Sequence, residues 1–100
     1  MITQERRESG QSINIPALRD EARNLESIIR IGKNGLTDSV IAEIVSQLKK
    51  KRLIKLKLLK AFLEGKDKKE TAKEIAEKTK SVLVQQVGFV VVLYWPRKGD

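Results

Sequence analysis

The sequence from residue 28 to residue 37 is Ile-Ile-Arg-Ile-Gly-Lys-Asn-Gly-Leu-Thr, and it predicts a strand, a tight turn and the start of a helix. Its β-branched beginning favours the strand, and Thr37 is a good N-cap. Gly32 and Gly35 let the main chain turn tightly and approach a sugar-phosphate, while Lys33 adds charge and Asn34 adds donors beside the positive end of the helix. The turn therefore indicates nucleic acid, although Gly-x-x-Gly is also a common structural connection.

The segments on either side of this turn predict alternating helices and strands. Pro16 suits the first turn of a short helix, and the helix after the turn has one apolar face, made by Val40, Ile41, Ile44, Val45 and Leu48. The segment 53–58 alternates apolar and basic residues, which is typical of a half-buried strand.

The C-terminal third predicts a helix followed by two strands. Asp67 with Glu70 resembles a helix cap, and apolar runs at 82–87 and 90–95 predict strands joined by a tight turn. The nearly continuous apolar run of the last strand suggests a central position in a sheet.

This order of elements predicts the fold class. Right-handed crossovers make the first three strands parallel, and the short final turn makes the fourth antiparallel. We expect an α/β two-layer sandwich with a small four-stranded mixed sheet. We expect one domain over residues 15–98, preceded by a flexible arm over residues 1–14.

Composition narrows the function. The chain has 21 Lys and Arg against 13 Asp and Glu, and residues 27–60 alone carry nine basic and two acidic side chains. The absence of Cys and His removes the usual zinc ligands, thiol nucleophiles and general bases, so we do not expect an enzyme. With no apolar run of about 18 residues and no signal-peptide core, we expect a cytoplasmic protein that does not contact a membrane. We also expect a monomer.

Candidate RNA-binding residues fall into a glycine loop, a basic helix end and a basic strand. They are Gly32, Lys33, Asn34 and Gly35, then Lys49, Lys50, Lys51 and Arg52, then Lys55 and Lys57. The helix end also fits a solvated terminus, and the strand lysines also fit stems that cover a sheet. Tyr94 and Trp95 alternate in the last strand, so one is expected inside and the other is a candidate for stacking on a base.

Several segments in this order resemble the CRM domain, the chloroplast RNA splicing and ribosome maturation domain, which also occurs as stand-alone prokaryotic proteins of the YhbY type. They are Leu18-Arg19-x-x-Ala22-x-x-Leu25, residues 28–37, Leu53-Ile54-Lys55-Leu56-Lys57, Val84-Gln85-x-x-Gly88 and Val92-Leu93-Tyr94-x-Pro96. The resemblance covers residues 16–97. It implies a fold like the C-terminal domain of translation initiation factor three and an RNA-binding module with no cofactor or enzymatic activity.

The resemblance also implies a partner and a site. Stand-alone members are associated with large-subunit precursors, so the expected partner is ribosomal RNA or a pre-ribosomal particle, and the expected role is in ribosome assembly. Residues 32–35 occupy the family's RNA-contacting loop, and Lys55 and Lys57 occupy its basic second strand. Because Asp20 and Glu21 stand in a helix that is often basic in the family, we expect contact at the loop and strand rather than at the first helix.

Two other functions stay open at this point. One is a general nucleic-acid packaging protein of the small archaeal chromatin kind, which predicts dimers and equal binding to duplex DNA. The other is an adaptor whose basic face docks an acidic protein and ignores RNA at physiological salt.

Overall fold

The structure, a computed structural model, describes residues 13–96. Within this range the chain forms α1 (Ile15–Ala22), β1 (Ser27–Ile31), α2 (Asp38–Lys51), β2 (Leu53–Leu58), α3 (Lys60–Leu63), α4 (Lys68–Thr79), β3 (Val82–Val87) and β4 (Val90–Tyr94). None of these helices has the length and apolar character needed to cross a membrane. The predicted arm lies outside the described residues apart from residues 13 and 14, as do the last two residues of the predicted domain.

The sheet has the strand order β1-β2-β4-β3. β1 and β2 are parallel, and β4 is antiparallel to both of its neighbours, so β3 runs in the same direction as β1 and β2. The turn between β3 and β4 consists of Gly88, at φ +58°, and Phe89. This topology confirms the predicted four-stranded mixed sheet and the central position of the last strand.

Side-chain caps fix where three of the helices begin. Asn14 Oδ1, Thr37 Oγ1 and Asp67 Oδ2 each accept a hydrogen bond from the main-chain N–H three residues later, at 3.0–3.1 Å. These bonds satisfy N–H groups that have no partner inside a helix. The caps predicted at Thr37 and Asp67 are thereby confirmed.

The main core lies between one face of the sheet and the helices α2 and α4. Ile54 and Leu56 of β2 are fully buried against Ile44 of α2 and Ile75 of α4. Full burial of one such side chain contributes about 1.5–3 kcal/mol. An exposed ion pair such as Lys78–Glu74 contributes about 0–1 kcal/mol, so core burial determines the arrangement of these helices.

The short helix α1 lies on the opposite face of the sheet, which adds a partial third layer to the predicted sandwich. Ala22 packs with Leu53, Val84 and Val92 in a second, smaller cluster. Leu53 alternates along β2 with the buried Ile54, so the two side chains point to opposite faces. Because α1 has only eight residues, it covers one part of this face and leaves the rest accessible.

The four-residue helix α3 was not predicted from the sequence. It is too short for apolar periodicity to show, and its N-cap residue Leu59 makes no side-chain cap bond. Both Phe62 and Leu63 are buried in the main core. This helix matters because it brings Phe62 against the glycine loop.

Candidate nucleic-acid interface

The glycine loop is a tight turn at the carboxyl end of β1. The N–H of Gly35 donates to the carbonyl of Gly32 at 2.9 Å, and Gly35 has φ +73°. A side chain at Gly35 is therefore strained whatever the space around it. Gly32 has no such backbone strain, and a Cβ there would meet only the Cδ1 of Leu59 at 3.4 Å.

The tip of this turn is accessible and its amides are available. Lys33 and Asn34 are both exposed, and within residues 13–96 their main-chain N–H groups donate no hydrogen bond. The start of α2 is less available, since Thr37 Oγ1 accepts the N–H of Val40 and Asp38 places a carboxylate in the first turn. The turn rather than the helix start is therefore the better place for a phosphate.

A shallow hollow of about 270 Å³ lies between the turn and the helices α3 and α4. Lys33, Asn34 and Gly35 form one wall, and Phe62 and Lys66 contribute to the rest. The Phe62 ring would lie 3.7 Å from a Cβ at Gly35, and Lys66 Nζ is 5.4 Å from the ring centroid. Lys66 is exposed and lies beside the loop.

The basic helix end is far from the glycine loop. At about 1.5 Å per residue, the 14 residues of α2 place Lys49, Lys50 and Lys51 roughly 20 Å from the turn. All three side chains are exposed. A single phosphate group therefore never contacts both regions, and one RNA reaches both only by running along the protein.

Arg52 differs from the three lysines before it. It is half-buried with φ +70°, its Nε donates to the Trp95 carbonyl at 2.9 Å, and its guanidinium lies 5.7 Å from the Tyr94 ring centroid. These contacts give Arg52 a structural role at the end of α2, whatever else it binds.

The strand lysines lie on the sheet face that is opposite the main core. Arg30 is the register partner of Lys57, and Lys55 lies near Arg19 and Arg23 of α1. We call these five residues the open face. Arg30 precedes Gly32 by two residues, so the open face and the glycine loop adjoin at the carboxyl ends of β1 and β2.

Sequence reasoning had set the first helix aside because of its acidic residues. In the structure Ala22 faces the sheet, and Arg19 and Arg23, spaced one turn apart, flank it on the open face. The i, i+4 spacing of these arginines beside a small apolar residue was the available signal. Asp20 forms an exposed ion pair with Arg23 at 3.5 Å, which offsets part of the charge of Arg23 and leaves Arg19 unpaired within the described residues.

Three other cations of the interface have no ion-pair partner among residues 13–96. In the described residues Lys33, Lys55 and Lys57 form no ion pair within 4.0 Å. No group of three acidic residues in the same range is placed to hold a metal ion. The loop and the open face are therefore free to attract an anionic partner.

The two aromatic residues at the end of β4 point in opposite directions, as the alternation predicted. Trp95 is 5% exposed and belongs to the main core, whereas Tyr94 is half-buried and packs near α1 on the other side. A base has no access to the Trp95 ring.

Comparison with known proteins is consistent with this geometry. Residues 12–95 match the family model of the CRS1/YhbY (CRM) domain. A probable RNA-binding protein of Methanocaldococcus jannaschii is 42% identical over 82% of this chain and 60% of its own length, so the chain spans less than two thirds of that relative. The probable RNA-binding protein YqeI of Bacillus subtilis is 36% identical over 83% of this chain and 84% of its own.

A solved structure has the same fold. The solution structure of a Staphylococcus aureus protein thought to bind RNA superposes with a TM-score of 0.71 at 36% identity. The match covers 86% of this chain and 88% of that one.

Proposed function

The chain belongs to the CRS1/YhbY (CRM) domain family, and from this membership we propose that it binds structured RNA through the glycine loop and the basic surface beside it. Main-chain amides at the tip of the turn bind phosphate oxygens. Lys33, Lys55 and Lys57 neutralise the phosphates on either side. The names of the relatives support RNA as the partner.

One observation carries the proposal for the loop. The exposed amides of Lys33 and Asn34 donate to nothing within residues 13–96, although the rest of the turn is held by the Gly35 to Gly32 bond and by packing on Phe62. Main-chain amides that are free in a turn, beside a lysine without an ion pair, are suited to bind an anion. A purely structural connection requires neither the charge nor the accessibility.

The proposed target is ribosomal RNA in a precursor of the large subunit, and the proposed role is in ribosome assembly. This part rests on the resemblance to stand-alone YhbY-type proteins.

The experiment compares fragments of large-subunit precursor RNA, an unrelated structured RNA and duplex DNA at several salt concentrations. If four to six phosphates are neutralised, the slope of log affinity against log salt is about −3 to −5. We expect Lys33→Ala to weaken RNA binding and to reduce the magnitude of the slope by about 0.7–0.9. Lys78→Ala removes the same charge from an exposed ion pair with Glu74 and is the matched control. Because Glu74 also lines the hollow beside the loop, the double variant Lys78→Ala/Glu74→Gln controls for the carboxylate that the single change frees.

Each alternative function predicts a different outcome of this experiment. Equal affinity for duplex DNA would favour a packaging protein. Absence of RNA binding at physiological salt would favour an adaptor. An affinity that Lys33→Ala leaves unchanged would contradict the role of the loop.

A further inference from the structure

The open face contains a hollow with an apolar floor and a cationic rim. It lies between α1 and the sheet, and its volume is about 260 Å³. The floor is formed by Ala22, Val87, Val90 and Val92.

The rim of the hollow is cationic and polar, whereas its floor is apolar. Arg19, Arg23 and Lys55 surround the valines together with the amide of Gln85, and no carboxylate of the described part of the chain lines the hollow. Asp20 neutralises part of the charge of Arg23 from outside. Val87 is 59% exposed, so a large apolar side chain stays in water among these cations.

The size of the hollow limits what it can hold. Its volume corresponds to eight or nine water molecules at about 30 Å³ each, and it is below the roughly 300–1,000 Å³ typical of sites for drug-sized ligands. One planar ring fits, whereas a dinucleotide or a large cofactor does not.

A suitable ligand has an apolar surface that can cover the floor and anionic groups that can contact the rim. A nucleotide within an RNA strand fits this description, since its flat base is flanked by phosphates. Its base would cover the valines, and a guanidinium plane of Arg19 or Arg23 can stack on it. Duplexed bases are already stacked and paired, so only an unpaired nucleotide can enter.

Cations extend from the hollow in two directions. Towards the glycine loop they are Lys57 and its register partner Arg30. In the other direction Arg19 also lines a neighbouring hollow at the edge of β3, together with Lys69 and Lys73. Phosphates on both sides of a seated base would therefore meet positive charge.

We propose that this hollow seats one unpaired nucleobase of the RNA whose backbone contacts the glycine loop. The inference rests on the proposed function and adds to it that recognition depends on a base as well as on phosphates. It also gives α1 a direct part in binding.

The test uses a structured RNA that the wild-type protein binds, with each unpaired nucleotide replaced in turn by an abasic one. We expect one position at which loss of the base weakens binding about 5- to 20-fold, near the lower end of the range known for single bases in protein sites. Abasic replacement at the other unpaired positions should change affinity less than twofold.

The protein variant for this test is Val90→Gln, which occupies the hollow with a neutral, polar side chain. This variant should reduce the difference in affinity between intact and abasic RNA to less than twofold. Val82→Gln is the matched control, because Val82 is also half-buried in the hairpin but does not line the hollow. The control variant should keep the full difference in affinity between intact and abasic RNA. Thermal unfolding of both variants tests whether they are folded.

Three results would overturn the inference. The first is equal affinity of the wild-type protein for intact RNA and for every abasic RNA. The second is a folded Val90→Gln variant that still distinguishes intact from abasic RNA as well as the wild type does. The third is competition by a free nucleoside monophosphate at micromolar concentration, which would indicate a small-molecule site. In each case RNA binding that still depends on Lys33 would leave the proposed function standing, whereas absence of RNA binding would remove both.

Discussion

Arg52 and Trp95 hold each other through two hydrogen bonds that run in opposite directions. The N–H of Trp95 donates to the Arg52 carbonyl at 2.7 Å, and Arg52 Nε donates to the Trp95 carbonyl at 2.9 Å. The pair joins the end of α2 to the end of β4, across 43 residues of sequence. It explains why the last residue of the basic run at 49–52 is half-buried.

We expect Arg52→Ala to destabilise the protein by about 1–3 kcal/mol, because it removes a charged hydrogen bond and the contact with the Tyr94 ring, while the strain of φ +70° stays the same. Arg52→Gly loses the same bond but tolerates this φ, so it should be about 0.5–1 kcal/mol less destabilising. Urea unfolding of the two variants measures the difference. Equal stability of both variants and wild type would contradict the structural role.

The two loop glycines should respond differently to alanine. Gly35→Ala forces a Cβ onto a backbone at φ +73° and should cost about 1–2 kcal/mol of folding stability. Gly32→Ala meets only the end of the Leu59 side chain and should leave stability within about 0.5 kcal/mol of wild type.

RNA affinity of Gly32→Ala then separates binding from folding. We expect a reduction of several-fold, because a Cβ keeps a sugar-phosphate from the main chain. Unfolding curves that match wild type are the control, and unchanged affinity would show that close approach at Gly32 is not required.

Trp95 should report folding rather than binding. It is the only Trp in the chain and lies in the main core, so its fluorescence should change strongly on unfolding and little when RNA is added. A titration with saturating RNA measures this. Strong quenching of the Trp95 fluorescence by RNA in the folded protein would contradict this prediction, because it would require that the Trp95 ring be accessible to RNA.

Much of the fold followed from local patterns. The alternation in residues 53–58 and the caps at Thr37 and Asp67 were sufficient to place three elements, because each depends on neighbouring residues only. α3 could not be predicted in the same way. Its Phe62 is buried by contacts with distant segments, and four residues carry no helical period.

The site was predictable where it is local and unpredictable where it depends on packing. The glycine turn is encoded in four consecutive residues. The distance between the turn and Lys49–Lys51 follows from the length of α2. The proximity of Arg19, Arg23 and Lys55 could not be predicted in this way, because it depends on which face of the sheet α1 covers.

The exposed helix end gives a comparison with the loop. Lys50→Ala and Lys33→Ala remove equal charge at sites roughly 20 Å apart. We expect Lys50→Ala to weaken RNA binding less than Lys33→Ala, since Lys33 lines the hollow at the turn and its main-chain N–H donates no hydrogen bond within the described residues. Competition assays at one salt concentration compare the RNA affinities of the two variants. A larger loss of affinity in Lys50→Ala would indicate that the main contact lies at the helix end.

The most direct measurement is the response of individual main-chain amides to RNA, followed by NMR on isotopically labelled protein. The account predicts that the amide signals of Lys33, Asn34 and Gly35 shift most, together with those of the open face. If only the signals of Lys49, Lys50 and Lys51 shift while those of the turn stay unchanged at saturation, the glycine loop is not the phosphate-binding site.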